Sequence, residues 1–399
     1  MRVLMLAPEF FPVYGGVGDY VLQIAKQMPS DVEMHIVTPR RHDSLGGGKE
    51  GSLSLDAIVP PSAHVTYLGS AKDVFFYNFS FQFNCAKHIP SMIDSLGIDI
   101  VHSQSAMPDY FLSPKKLRIP TVTTIHTTIE GHIEALKASR TPFGQLRRSE
   151  KFSLILGPLL KAMEDRYYTD IRMYISVSEW AKRQASREKG INPGRIRVIR
   201  PGIDSEVFNP SRKEEASAFY GRLAGIKMPK VLFLSRMATR KGIHLLLRAI
   251  PKVLAKVDAH FIFAGEGTRP DFDIPAESYT YLGHVPRDHP AYLYSLSDIY
   301  ILPSLYENFP VAIHEAMASG CAVVSTGICG IPEMIRNDVN GLLIPPNSVD
   351  AIADSLVRLI ENDTLRSSLG RTARSDVVKE YSWKKTAIEI RELYLSLKG

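Results

Sequence analysis

A chain of 399 residues is long for one hydrophobic core and suits two domains of roughly 150–200 residues each. With 45% apolar and 23% charged residues, the composition excludes disorder, collagen and a coiled coil. Only Cys85, Cys321 and Cys329 occur, too few and too scattered for a disulfide framework or a structural zinc site, which predicts a reducing, cytoplasmic setting. The net charge of +6 belongs to the first half. Residues 111–200 carry 18 basic against 8 acidic side chains, a surplus that attracts phosphates, an anionic membrane or nucleic acid.

Short β-branched apolar runs alternate with helical patterns along the whole chain, the mark of βαβ units and parallel sheets. Strands are predicted at 2–7, 33–38, 65–68, 100–102, 121–126 and 173–177, with a helix near 20–27 and a strand ending in a turn at 198–204. The run Phe75–Phe83 has six aromatics; from Tyr77 its period of two suits a buried strand, and its aromatics also suit an apolar surface. The pattern restarts with strands at 230–235, 260–264, 280–282, 299–302 and 322–325 and a helix near 242–255. The expected fold class is α/β: two doubly wound Rossmann-like domains, 1–203 and 204–381, followed by a final helix over 382–399. The longest apolar run, 152–160, is about half the ~20 residues needed to span a bilayer and contains Gly157 and Pro158. Only five apolar residues follow Met1-Arg2, so no secretory leader is expected.

Three segments could carry chemistry. Pro12-Val-Tyr-Gly-Gly-Val-Gly-Asp19 follows the first strand, and its glycines would let backbone N–H groups and a helix N-terminus meet an anion. It departs from a dinucleotide fingerprint, because the glycines come about seven residues late and strand two ends Thr38-Pro-Arg-Arg41 without an acid. An NADP-dependent oxidoreductase and a merely structural turn both stay open here. Ser235-Arg-Met-Ala-Thr-Arg-Lys-Gly242 places Arg236 and Lys241 between a strand end and a helix start, where a fork and a point charge can clamp a diphosphate; solvated surface charges are the plain alternative. The third segment, Pro303 to Gly320, is the most specific. Glu307 falls in the loop after a strand and Glu315 about a turn into the next helix, so carboxylates for sugar or ribose hydroxyls flank an anion-binding helix start. Turns at Ala264-Gly265-Glu-Gly267, Leu282-Gly-His284-Val285 and Cys329-Gly-Ile-Pro-Glu333 support this reading. Asp271-Phe-Asp273 resembles a metal motif but stands apart from the clamp, and His35, His88 and His314 read as packing or surface histidines.

In this order the motifs resemble family 4 of the nucleotide-sugar glycosyltransferases: Tyr-Gly-Gly, Thr-Ile-His, Arg-x4-Lys-Gly, Gly-Glu-Gly, Pro-Ser-x2-Glu-x7-Glu-Ala-Met-Ala-x-Gly, Gly-Ile-Pro-Glu. The resemblance implies a GT-B fold of two Rossmann-like domains facing across a cleft and closing on the donor, and a retaining transfer from a UDP- or GDP-sugar to an acceptor hydroxyl. It implies that Arg236 and Lys241 neutralise the donor diphosphate, that Glu307 holds the sugar hydroxyls, that Asn308, Phe309 and Pro310 follow along the sugar, and that Val311 also binds the donor. Glu315 would bind ribose, Gly265, His284 and Val285 would lie by the nucleotide, Gly15 and Gly16 would approach the diphosphate, and His126 would reach the sugar. No cofactor, metal or nucleic-acid partner is implied. Val13, where starch and glycogen synthases carry Lys two residues before the paired glycines, argues against that branch. A sugar-nucleotide epimerase or phosphorylase of the same architecture and a non-catalytic nucleotide-sugar-binding protein are the competing readings. Lys137, Arg140, Phe143, Leu146, Arg147, Arg148 and Lys151, running into 152–160, suggest a cytoplasmic protein peripheral to an anionic membrane with a lipid-linked acceptor; a basic rim around a soluble acceptor is the plainer alternative.

Overall fold

The computed structural model describes residues 1–11, 15–41, 58–71, 74–105, 109–112, 117–138, 143–146, 148–169 and 171–398. Thirteen strands among them form two all-parallel sheets. The first sheet holds β1 (Arg2–Leu6), β2 (Glu33–Arg41), β3 (Ala63–Ala71), β4 (Ile100–Ser103), β5 (Thr121–Ile125), β6 (Met173–Ser176) and β7 (Ile196–Val198), in the order 3-2-1-4-5-6-7. The helices along this part of the chain are α1 (Gly16–Gln27), α2 (Val74–Leu96), α3 (Ile129–Ala138), α4 (Arg148–Tyr167) and α5 (Glu179–Lys189). The second sheet holds β8 (Lys230–Leu234), β9 (His260–Ala264), β10 (Tyr279–Gly283), β11 (Ile299–Leu302), β12 (Ala322–Thr326) and β13 (Leu342–Ile344), in the order 10-9-8-11-12-13. With it come α6 (Lys213–Phe219), α7 (Ile243–Leu254), α8 (His289–Leu296), α9 (Val311–Ala318), α10 (Val349–Glu361) and α11 (Asp363–Glu380), and the chain ends in α12 (Trp383–Lys398).

These strands read as continuous apolar runs because parallel sheets covered on both faces bury both sides of each strand. β1, β9, β11 and β12 are buried along almost their whole length. In each sheet the strand order reverses once, between β1 and β4 and between β8 and β11. Loops leaving the carboxyl ends on either side of such a reversal diverge and open a crevice, which is where ligands of doubly wound sheets bind.

Contacts divide the chain into two compact units: Met1–Glu130 with Phe152–Gly202 and Trp383–Gly399, and Gly131–Lys151 with Ile203–Ser382. α12 is part of the first core, where Trp383, Ala387, Ile390, Leu393 and Tyr394 pack with Val3, Met5, Tyr20 and Ile24. Gly131–Lys151, assigned by the sequence to the first domain, groups with the second unit because the Asn347 side chain donates to the Ala138 carbonyl at 3.2 Å and Gly131 lies against Tyr306.

Three elements differ from the sequence reading. The aromatic run 75–83 belongs to α2 and not to a strand; Phe81 is buried in a cluster with Cys85 and Ile89, four and eight residues on, a helical spacing that outweighs the local alternation. The last strand of the first sheet is Ile196–Val198, not 198–204, since pairing with β6 ends at Ser176–Val198. β13 was not predicted; three residues are too few to show a period.

Candidate functional site

The second unit builds its site from the two loops at the sheet's reversal. After β8 the chain runs through Ser235–Ala238 into a single 3-10 turn, Thr239–Lys241, and stops at Gly242, whose φ of +75° is left-handed. A side chain here would collide with the Pro303 carbonyl, so glycine lets the β8 and β11 loops touch backbone to backbone. Two further bonds join them: Leu305 N–H to the Arg240 carbonyl at 2.8 Å, and Arg240 Nη1 to the Tyr306 carbonyl at 2.8 Å.

This junction brings three charged side chains together. Lys241 Nζ donates to Glu307 Oε1, Arg240 Nη1 lies 3.6 Å from the same oxygen, and Ser304 Oγ donates to it at 3.1 Å. Thr326 from β12 fixes Ser304 through its carbonyl at 2.6 Å, and the Gly330 N–H fixes the Glu307 carbonyl at 3.2 Å. Burial alone would raise the Glu307 carboxyl, yet the charges of Lys241 and Arg240, with hydrogen bonds from Lys241 and Ser304, hold it below the usual carboxylate range. Burial also pulls the Lys241 ammonium down to about 8, against the opposing attraction of Glu307. Arg236 is exposed at the mouth of the loop. The result is a surplus of positive charge around one buried carboxylate, suited to an anionic ligand that also bears hydroxyls.

The neighbouring loops are tied in by backbone. Gly265, with φ of +131°, lies so close to the Ser235 carbonyl that no side chain would fit. Its N–H meets the Gly283 carbonyl at 2.7 Å, and Met237 N–H meets the Glu266 carbonyl at 2.7 Å. His284 is exposed, with Nδ1 3.6 Å from Glu266 Oε1, and Val285 follows it. Asn308 is buried, and α9 begins at Val311 behind Pro310, with no side-chain cap on its first turn. Glu315, on α9, accepts from the Tyr294 hydroxyl at 3.0 Å. Phe309 turns inward: it is buried edge-on against His314 at 4.9 Å, and His314 in turn meets Tyr381 at 4.1 Å. Asp271 and Asp273 are exposed on the loop beyond β9.

In the first unit, Tyr14 and its neighbours 12 and 13 lie outside the described residues. Gly15 packs against the Glu9 carboxylate, which accepts the Val17 N–H at 3.1 Å, while open space surrounds the position a Gly16 side chain would take. An acid of the chain itself therefore sits at the α1 N-terminus, where the glycines suggested a ligand anion. His126 follows β5, with Nε2 2.9 Å from Gln104 Oε1 and the Tyr20 ring edge-on at 4.9 Å; burial pulls its imidazole down to about 4.

Sequence reasoning missed Arg240 and Ser304 as members of the Glu307 cluster, and it gave no sign of His132. Arg240 stands inside the quoted motif, but one loop's sequence does not show which of two adjacent bases turns toward another loop. His132, on α3, is pulled down to about 4 by burial and by the charges of Arg240 and Arg236, and spacing carries no signal of that. Of the basic and aromatic membrane candidates, Arg140 and Arg147 and the side chain of Arg148 lie outside the described residues. Phe143 is exposed, with Lys151 Nζ 5.7 Å above its ring. On α4, Ile155 and Leu159, one turn apart, are 65% and 57% exposed. Among the described residues, no helix is long and apolar enough to cross a membrane.

Two parallel doubly wound sheets give the chain the GT-B architecture, and comparison with known proteins gives the family. Residues 14–207 match Glycosyltransferase Family 4 and residues 228–362 match Glycosyl transferases group 1, so the chain belongs to family 4 of the glycosyltransferases. A phosphatidyl-myo-inositol mannosyltransferase of Mycolicibacterium smegmatis is 26% identical over 100% of this chain and 95% of its own. The phosphatidylinositol N-acetylglucosaminyltransferase gpi3 subunit of Schizosaccharomyces pombe is 24% identical over 98% and 80%. Among solved structures, a sucrose-phosphate synthase from Thermosynechococcus elongatus superimposes with a TM-score of 0.79 at 17% identity over 99% of this chain and 98% of that one. HepE of Anabaena, in complex with UDP-glucose, does so at 0.73 and 18% over 100% of both chains.

Proposed function

We propose that this glycosyltransferase moves a sugar from a UDP- or GDP-sugar to the hydroxyl of a lipid-linked acceptor, with retention and an α-linkage. The observation that carries the proposal is the convergence of Lys241, Arg240 and Ser304 on Glu307 at the reversal of the second sheet. In an oxocarbenium-like transition state, negative charge grows on the leaving diphosphate. Lys241 and Arg236, with the N–H groups of Val311 and its neighbours in the uncapped first turn of α9, would stabilise it, usually the largest single catalytic contribution. Glu307, kept ionised by its basic neighbours, would accept hydrogen bonds from sugar hydroxyls; Glu315 would do the same for ribose, with Gly265, His284 and Val285 by the base. On this reading Arg236, Arg240 and Lys241 supply the positive charge that a metal would otherwise bring, so a chelator leaves turnover unchanged. No side chain is placed as a covalent nucleophile; the acceptor attacks on the face from which the diphosphate departs, and a departing phosphate oxygen takes its proton.

The lipid acceptor rests on Ile155 and Leu159, exposed in a basic stretch of chain, and on relatives whose names carry phosphatidylinositol. UDP- and GDP-sugars incubated with and without total lipid extract test the function. Nucleoside diphosphate released only with lipid, and an α-anomeric product by NMR, is the expected result. A sugar isomer formed without acceptor would establish an epimerase, and binding without turnover a scaffold.

A further inference from the structure

The second unit carries two fully buried tyrosines beside its glutamates: Tyr294 in the last turn of α8 and Tyr300 in β11. Their rings meet edge to face, with centroids 5.4 Å apart at 69°. The Tyr300 hydroxyl donates at 3.2 Å to the carbonyl of Leu234, the last residue of β8 before the Ser235–Lys241 loop. Burial, and after it the charges of Glu315 and Glu307, raise that hydroxyl well above the ordinary tyrosine range. Both carboxylates are therefore felt at one point of the sheet's reversal, which places Glu315 at the same crevice as Glu307.

Tyr294 is held at both ends. Its main-chain carbonyl accepts from the Cys321 thiol at 3.2 Å, its ring also meets Phe208 edge-on at 6.0 Å, and its hydroxyl donates to Glu315 Oε2 at 3.0 Å. Burial, reinforced by the Glu315 charge, raises this hydroxyl well above its ordinary range too, so it keeps its proton and stays a donor at working pH. A glutamate side chain has three torsions and loses much rotamer freedom when it is fixed. Tyr294 fixes it before any ligand arrives. A carboxylate has about four acceptor sites, and this bond takes one of them, so Glu315 can keep the tyrosine while it accepts from a ligand hydroxyl.

We propose that Tyr294 is a positioning residue that holds Glu315 in the orientation from which it accepts ribose hydroxyls, so that preference for a ribonucleotide runs through a tyrosine that touches no ligand. The proposal rests on the reading of Glu315 as the ribose contact. An acceptor ordered in advance pays little entropy on binding, and only a ligand with ribose hydroxyls gains from that order. A nucleotide without them gains nothing from Glu315 and is indifferent to Tyr294.

Calorimetric titration of the full chain with UDP and GDP, and with the 2′,3′-dideoxy form of each, tests it. Wild type should prefer the ribonucleotide about 10-fold to 100-fold, the size of hydrogen bonds to a charged acceptor. Tyr294→Phe, which keeps the ring and its packing, should weaken the ribonucleotide about 3-fold to 10-fold and leave the dideoxy form unchanged. Glu315→Ala should abolish the preference, and adding Tyr294→Phe to it should cost nothing further. A Tyr294→Phe variant that keeps the full preference, or loses affinity for both forms alike, overturns the proposal and leaves the reading of Glu315 standing. A wild type without preference, or a preference that survives Glu315→Ala, removes that reading and the proposal with it.

Discussion

Lys241 and Glu307 perturb one another, and the direction of each effect sets a pH dependence. Glu307 pulls the lysine up and burial pulls it down further, leaving it at about 8, below its ordinary 10.5. Between these values the unfolded chain binds the proton more tightly, so the lysine costs stability while charged and the cost fades as pH rises through that window. Glu307 behaves oppositely: its depressed carboxyl stabilises the fold above the usual carboxylate range, and that contribution is lost in acid. Diphosphate binding needs charged Lys241, so kcat/KM for nucleoside diphosphate release should fall above about pH 8. Lys241→Arg should abolish that basic limb, and Glu307→Gln, which removes the upward pull, should move it to lower pH. A limb unchanged in both variants would exclude Lys241 as its origin. Lys241→Ala should cost about 2–4 kcal/mol of transition-state stabilisation, read from the same kcat/KM.

At the scale of elements, the close approach of the β8 and β11 loops decides whether the cluster exists. Gly242 permits it, by its left-handed φ and by leaving room for the Pro303 carbonyl. Gly242→Ala should therefore destabilise the protein by about 2–4 kcal/mol in denaturant titration, well above the usual cost of an exposed substitution, and should lower activity even where the variant is folded. α4 supplies the other test at this scale. Ile155 and Leu159 expose apolar surface on one side of the helix, so sedimentation with anionic vesicles should drop several-fold in Ile155→Glu with Leu159→Glu while neutral vesicles bind little of either form. Equal sedimentation of wild type and variant would remove the membrane reading and leave the glycosyltransferase intact.

At the scale of the molecule, each unit has its own parallel sheet and its own buried core, and α12 belongs to the first although it follows the second in sequence. A chain ending at Ser382 loses Trp383, Ile390, Leu393 and Tyr394 from the first core, and the His102–Tyr394 bond with them. Calorimetry should show two unfolding transitions for the full chain, of which truncation abolishes or sharply lowers one. UDP or GDP should raise the other, by about 2.7 kcal/mol at a hundredfold excess over its dissociation constant. A single transition lost whole on truncation would mean that the two cores do not unfold independently.

Sequence by itself determined the class. Fully buried parallel strands are apolar runs such as His260–Ala264, and the Glu307…Glu315 string sits where a strand must give way to a helix, so periodicity and spacing placed both sheets and the strand-to-helix loop that carries Glu307. Tertiary structure alone decided which side chains meet. Arg240 joins Lys241 and Glu307 because its loop is pressed against Tyr306, and the Phe309 ring is turned inward between His314 and Tyr381. α2 is a helix because Phe81, Cys85 and Ile89 found a common core, where alternation from Tyr77 favoured a strand just as well. Local propensity and spacing act over a few residues, whereas these partners are supplied by strand order and helix packing, which join residues with no relation in sequence.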